Sequence, residues 1–406
     1  MSRVVRRNAF LLAGGLVCNS GLFQLAAALS SLTLVAVTHV TGVLGLGPAI
    51  FLLAGAAAVG PAGRLMDRIG RMPVIRGGFV FGGIGCAVVA AGCHLSSGPL
   101  VAFGLALVGA SGSVVQLSRA AAAEMFPPDR RTRGISFVLF GAVSGAIWGP
   151  VLFGPLFGDS ATTAHALAWP WLLGVPFMAL GFLVASAVRP DPKEIARSYP
   201  TERDDTGPPA PLRRLVFRPG VVPALVAAVA SFAVMAAVMN LAGYVAVGRG
   251  HHQGDIYRMI SVHIVGMFGL VLVVGDLVDR FGRRRALSTG LLLMAVSNAL
   301  LAWSGSVGGM SLALLGLGLG WNVSYVAATT ELVALTAPSE RGRLIGFSDL
   351  LSSLVAAVLA LAGGLVYTGG GAVTLALAAA GLAALPAGWL ALRPLFGPEA
   401  ALSSAE

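Results

Sequence analysis

The chain has 406 residues, 56% of them hydrophobic and only 11% charged, with 55 Gly, a mean hydropathy of +0.86 and a net charge of +10. Soluble domains carry about 25% charged residues, so this composition excludes a water-soluble globule of this size and requires a bilayer. The basic residues lie between apolar stretches rather than among aromatics, so the positive charge reads as one membrane face beside anionic lipid, and no nucleic-acid partner is expected.

Arg3, Arg6 and Arg7 open the chain ahead of an apolar run that is too long for a cleaved leader and lacks a small-residue cleavage site, so it reads as an uncleaved first helix. Crossing about 30 Å of hydrocarbon takes roughly 20 apolar residues. Such stretches recur at about 10–34, 43–63, 77–95, 99–122, 135–157, 167–188, 221–247, 257–275, 286–304, 309–332, 344–367 and 372–392, which predicts an all-α integral membrane protein of 12 spans. With both termini inside, nearly all Lys and Arg fall on the cytoplasmic side, and Arg249 and Arg258 fall outside. Cys18, Cys86 and Cys93 all lie in spans. Cys86 and Cys93 share one helix at a rise of roughly 10 Å, so no disulfide joins them.

Residues 189–219 interrupt the apolar pattern with seven prolines among charges. This predicts an N-terminal six-helix bundle over 1–188, a cytoplasmic linker over 189–219 and a C-terminal six-helix bundle over 220–406. The halves repeat: Gly63 to Arg71, carrying Asp67, Arg68 and Gly70, matches Gly275 to Arg283, carrying Asp279, Arg280 and Gly282. The offset is 212 (279 − 67). Glu124 to Gly134 and Glu331 to Gly342 form a second correspondence after the fourth and tenth spans. In this reading Gly63 and Gly275 allow close helix approach and Asp67 and Asp279 cap a neighbouring helix N-terminus. Arg68, Arg71, Arg280 and Arg283 are then available to carboxylates on other helices, Glu124 and Glu331 among them. For Asp349, just inside the eleventh span, the expected partner is Arg68 or Arg71.

The doubled GxxxDRxGR pattern resembles the major facilitator superfamily over essentially the whole chain. That resemblance implies its fold, two six-helix bundles with alternating access, and a gate held by the loop arginines and acids. Within the superfamily the chain resembles the CcoA-like copper importers that supply cytochrome oxidase assembly. The resemblance rests on Met235-Ala-Ala-Val-Met239 in the seventh span and His263-Ile-Val-Gly-Met267 in the eighth. It departs from them in having all three cysteines in its N-terminal half. Gly145, Gly149-Pro150 and Gly154 in the fifth span match in part the antiporter signature of drug exporters.

Each Met/His pair is spaced i, i+4 and shares a helix face. Thioethers and an imidazole form a soft, neutral set suited to Cu(I). Equal depths would bring Met239 beside His263 and Met235 beside Met267, to within roughly 3 Å along the membrane normal. Met259 extends the stripe, His251 and His252 stand at its mouth, and Cys18 is a further soft ligand on the first span. Asn19, Gln24, Asn240, Tyr244, Asn322 and Tyr325 are the other expected cavity positions.

The expected function is therefore secondary transport, most directly copper import across a bacterial cytoplasmic membrane, with both termini cytoplasmic. The copper ion or a small copper complex is the substrate, the lipid bilayer is the surrounding partner, no cofactor is required, and the protein acts as a monomer. No Walker loop, GxSxG elbow or HExxH points to an enzyme. The alternative is transport of a small organic solute, riboflavin or drug-like, possibly outward. Such a solute calls for aromatic stacking residues in a chain that is only 7% aromatic.

Overall fold

The computed structural model describes residues 3–127, 134, 137–138, 141–197, 211–270, 273–274, 278 and 280–392. Its elements are helical throughout, with no strand among the described residues. In chain order they are α1 (Arg3–Thr38), α2 (Leu46–Ile69), α3 (Arg71–His94), α4 (Gly98–Gln116), α5 (Ser118–Glu124), α6 (Gly141–Phe157), α7 (Ala164–Ser186), α8 (Pro192–Ala196), α9 (Leu212–Val216), α10 (Val221–Gly248), α11 (Gln253–Phe268), α12 (Arg283–Trp303), α13 (Val307–Ala334) and α14 (Pro338–Leu392). Among the described residues nine helical runs are long and apolar enough to cross a membrane. The last of them lies in α14, whose 55 residues would measure roughly 80 Å if straight. Gly371, at φ +75°, breaks α14 into two crossings. The shorter α6 and α11 occupy the places of the fifth and eighth apolar stretches. In lipid every backbone polar group must be paired within its own segment, and helices satisfy that requirement.

The spans begin and end where the local chemistry dictates. Ser97, Thr163 and Ser306 cap α4, α7 and α13 through their hydroxyls. Gly70 turns α2 into α3 at φ +100°, a conformation costly for any residue with a Cβ. The N-terminus of α3 is capped by Asp191 of the linker, which accepts from the Arg71 and Met72 amides at 3.1 and 2.8 Å. This corrects the expectation that Asp67 caps a neighbour: Asp67 lies one turn back on α2, 71% exposed, paired to Arg71 at 2.6 Å. Gly63 faces open space, so no close helix approach is made there. Gly275 and Asp279 lie outside the described residues.

α1 and α10 are buried around most of their surface and face each other across the interface between the halves. Three seams join the halves toward the face opposite the arginine-rich loops. Ser31 donates to the Asn240 carbonyl at 3.0 Å between α1 and α10. The start of α2 lies backbone to backbone on α14 at Gly45 and Gly364. At the end of α6 the Gly254 amide donates to the Gly158 carbonyl at 3.1 Å, and Gln253 donates to the carbonyls of Ser160 and Ala161. The chain is therefore shut at its arginine-poor face.

On the arginine-rich face the clamps run within each half. Arg71 donates to both oxygens of Glu124 at 2.9 and 2.7 Å, and its repeat counterpart Arg283 reaches Glu331 at 3.5 Å. Arg218 grips Glu340 at 2.7 and 2.8 Å. These hydrogen bonds raise the Arg218 guanidinium above its ordinary range. Arg68 and Arg280 are exposed.

Candidate functional site

The middle of the interface, on the arginine-rich side of the seams, gathers an aromatic wall and an ion pair. Trp321 and Tyr325 stand one turn apart on α13 and stack at 5.2 Å with 15° between their planes. Phe268, the last residue of α11, meets Trp321 edge-on at 5.9 Å, and Phe232 of α10 lies 6.1 Å from Tyr325. Three helices of the C-terminal half thus supply one continuous aromatic surface. Stacked and edge-to-face pairs of this kind hold one another's geometry as well as burying area.

Beside this wall Tyr325 donates its hydroxyl to Asp349 of α14 at 2.9 Å. Asp349 also faces Arg119 of α5, 3.9 Å away across the interface. Both charged side chains are partly exposed, at 43% for Arg119 and 37% for Asp349, so they border a wet space rather than a dry core. Asp349 therefore pairs with neither Arg68 nor Arg71, which lie at the loop between α2 and α3. Two further polar atoms are buried with no partner: Trp321 Nε1, a donor, and Gln116 Oε1, an acceptor one turn before Arg119. Unsatisfied buried groups are costly, and at a cleft they are positions where a ligand's own polar atoms would be stabilised.

The soft-ligand residues lie on α10 and α11. α11 packs on α13 far more than on α10. His263 is fully buried against α13, with Nδ1 2.7 Å from the Leu314 carbonyl and Nε2 without a partner. Met259 and Met267 are buried on the same helix, and Asn322 of α13 donates to the Met267 carbonyl. Met235 is buried in α10, while Met239 is partly exposed on the stripe that begins at Phe232. The imidazole thus points into α13, because Gly266 and Gly318 let α11 and α13 approach until a Cβ on Gly318 would stand 2.6 Å from the His263 carbonyl.

At the mouth His251 bonds the Gly305 carbonyl at 3.0 Å, and His252 caps α11 with Asp255. Cys18 is a buried free thiol. Among the other polar positions, Gln24 donates to the Tyr257 carbonyl at 3.2 Å and to Ser261 Oγ at 2.9 Å, joining the halves. Asn19 donates to the Gly112 carbonyl, and Asn240 bonds back to Ala236 on its own helix.

Arg119, Gln116, Trp321, Phe268 and Phe232 were absent from the sequence-derived site. A signal existed for Arg119, a lone cation within the apolar stretch 99–122, since an ionisable residue inside a span is a functional candidate by default. For the aromatics, a low overall content concealed their convergence from three separate helices.

A family model described as Major Facilitator Superfamily matches residues 11–271 and 249–405. The riboflavin transporter RfnT of Brucella anthropi is 31% identical over 331 residues, covering 79% of each chain. The uncharacterized MFS-type transporter YdeG of Bacillus subtilis is 30% identical over 341 residues, covering 82% of this chain and 79% of its own. Among solved structures, a D-xylose-proton symporter superposes with a TM-score of 0.75 at 16% identity, covering 95% of this chain and 97% of its own. The xylose transporter XylE of E. coli, in a partially occluded inward-open conformation, gives 0.73 at 14% identity over 98% and 99%.

Proposed function

This chain belongs to the Major Facilitator Superfamily, and from that premise we propose that it is a secondary transporter of a small, flat, ring-bearing organic solute with polar edges, riboflavin being the first candidate. The observation that carries this reading is the stacked Trp321–Tyr325 pair beside the Arg119–Asp349 pair, with Trp321 Nε1 and Gln116 Oε1 unpartnered. A planar ring system gains stacking on the aromatic wall, and its carbonyl and N–H edges match an indole donor, a guanidinium and a carboxylate. The 31% identity to a riboflavin transporter supports the same class.

In this reading the site lies in a bacterial cytoplasmic membrane with both termini cytoplasmic, so the shut seams face outward and the arginine-rich face is the cytoplasmic one. Transport alternates between that state and one in which the seams part. Without an ATP-binding motif, the driving force is a gradient or consumption of the solute inside.

A second reading, copper transport, has one specific observation in its favour: His263 Nε2 is buried without a partner, on a helix that also carries buried Met259 and Met267. Uptake of riboflavin and of copper, measured in parallel in cells lacking their own uptake systems, separates the two. Riboflavin accumulation that Trp321→Ala weakens and Met267→Leu preserves is expected. Copper accumulation lost in Met267→Leu and His263→Leu, with no riboflavin uptake, would replace the organic-solute reading.

A further inference from the structure

Away from the central site, two exposed histidines meet at the arginine-poor face. His94 is the last residue of α3 and His165 lies in the first turn of α7. Their Nδ1 atoms are 3.2 Å apart and their ring centroids 5.4 Å apart. Neither belongs to the cavity, to a seam or to any clamp described above.

We propose that His94 and His165 form a surface binding site for a divalent transition-metal ion of the zinc class. Imidazole nitrogens bind Zn2+ at about 2.0–2.1 Å. An ion at that distance from two nitrogens separated by 3.2 Å subtends roughly 100° between them, close to the tetrahedral angle. The nitrogen separation therefore suits a shared ion once the two rings, which face one another in a hydrogen bond, rotate their lone pairs toward it, and the exposure of both rings leaves the remaining positions to water.

The backbones that carry the two rings are held in register. α3 and α7 pack along their length through glycines: a Cβ on Gly174 would stand 2.5 Å from Cys86 Sγ, and one on Gly82 would stand 2.7 Å from Met178 Sδ. The start of α7 is further fixed by Thr163, whose hydroxyl accepts from the Ala166 amide. Metal binding thus requires ring rotation rather than helix movement, which lowers the ordering cost. The helix fields offset, since His94 sits at the negative end of α3 and His165 at the positive end of α7. Both helices belong to the N-terminal half, so the site persists whichever face of the transporter is open, and occupancy staples one half without locking the transport cycle. Imidazole favours Zn2+, Cu2+ and Ni2+ over the hard cations Mg2+ and Ca2+.

The test is Zn2+ titration by calorimetry on the full-length protein in detergent, purified without a polyhistidine tag, alongside unfolding temperature with and without Zn2+. The variants are His94→Gln, His165→Gln and, as a control for the neighbouring loop histidines, His251→Gln/His252→Gln. One equivalent of Zn2+ is expected, with a rise in unfolding temperature. Each of the two single variants should weaken that binding by about tenfold or more, no less than loss of an outer-shell partner costs a metal site. The loop double variant should bind like the parent, and all variants should elute as monodisperse species. Unchanged binding in His94→Gln and His165→Gln, loss of binding in the loop double variant alone, or no saturable binding by the parent would each overturn the proposal. In the last case the two rings form only a hydrogen-bonded pair.

Discussion

Trp321 and Tyr325 illustrate how one helical turn becomes a binding surface. Four residues apart on α13, they share a face, and Phe268 and Phe232 hold them from neighbouring helices. Aromatic pairs contribute about 0.5–1.5 kcal/mol beyond area burial, so Trp321→Ala is expected to raise the half-saturation concentration for riboflavin about tenfold. Trp321→Phe should lose less, because it keeps the stack and drops only the indole N–H. Transport kinetics at matched membrane abundance check both. The Arg119–Asp349 pair obeys a different rule: its members border the wet space between the halves, and removing one leaves the other charge without its counter-ion at membrane depth. Arg119→Gln alone should therefore reduce both folded abundance and transport, whereas Arg119→Gln with Asp349→Asn should recover abundance without recovering transport. Restored transport in the double variant would show that the charges serve only structure.

At the scale of elements, the repeated loop motif makes intra-half clamps rather than a bolt across the halves. Arg71–Glu124 and Arg283–Glu331 occupy equivalent places, each tying the start of one helix to the end of another. The acids differ in exposure, and that difference orders their contributions. Asp67, 71% exposed beside Arg71, sits in water, so Asp67→Asn should change stability by no more than about 0.5 kcal/mol. Glu340 is 7% exposed and doubly bonded by Arg218, so Arg218→Ala should cost about 1–2 kcal/mol by removing two charge-assisted hydrogen bonds from a buried carboxylate. Thermal unfolding in detergent compares the two. The sign of the Arg218 shift is upward, so the arginine's contribution is fully present below its already high unfolded value. The clamp should then show no titration of the arginine across the working pH range. On the opposite face Arg249 donates to the carbonyls of Leu301 and Ala302 at 3.0 and 3.2 Å and to that of Ser304, neutralising the C-terminal end of α12. Both arginines outside the basic face thus have local partners, Arg258 pairing with Asp255 at 3.5 Å.

For the whole molecule, the shut face depends on glycine. Gly243 of α10 lies so close to the Ala28 carbonyl of α1 that any Cβ would collide with it, and Gly149 of α6 leaves no room beside Gln24, Ser261 and the Tyr257 carbonyl. Backbone contact of this kind lets two rigid halves separate without rupturing a buried side-chain core. Gly243→Val should wedge the α1–α10 seam and shift the population toward a state open at the arginine-poor face. Alkylation of single cysteines placed on each face, in a background lacking Cys18, Cys86 and Cys93, should rise at the arginine-poor mouth and fall at the arginine-rich one. Labelling identical to the parent on both faces would mean that the seam tolerates the side chain and does not control opening.

The class of molecule was legible in the sequence because hydrophobic length and loop charge are local properties: twenty apolar residues span a bilayer wherever they occur, and a twice-repeated motif reports a repeated half. The partners of side chains were not. Asp349 could be placed near an arginine but not assigned to Arg119, and the depth of His263 could be counted but not its bond to the Leu314 carbonyl of α13, because rotation about a helix axis is set by packing. The glycine contact of α11 with α13 turns His263 toward Leu314, and the convergence of α10, α11 and α13 brings four dispersed aromatics into one wall. Periodicity fixes which residues share a face, and only the packed bundle decides what that face meets.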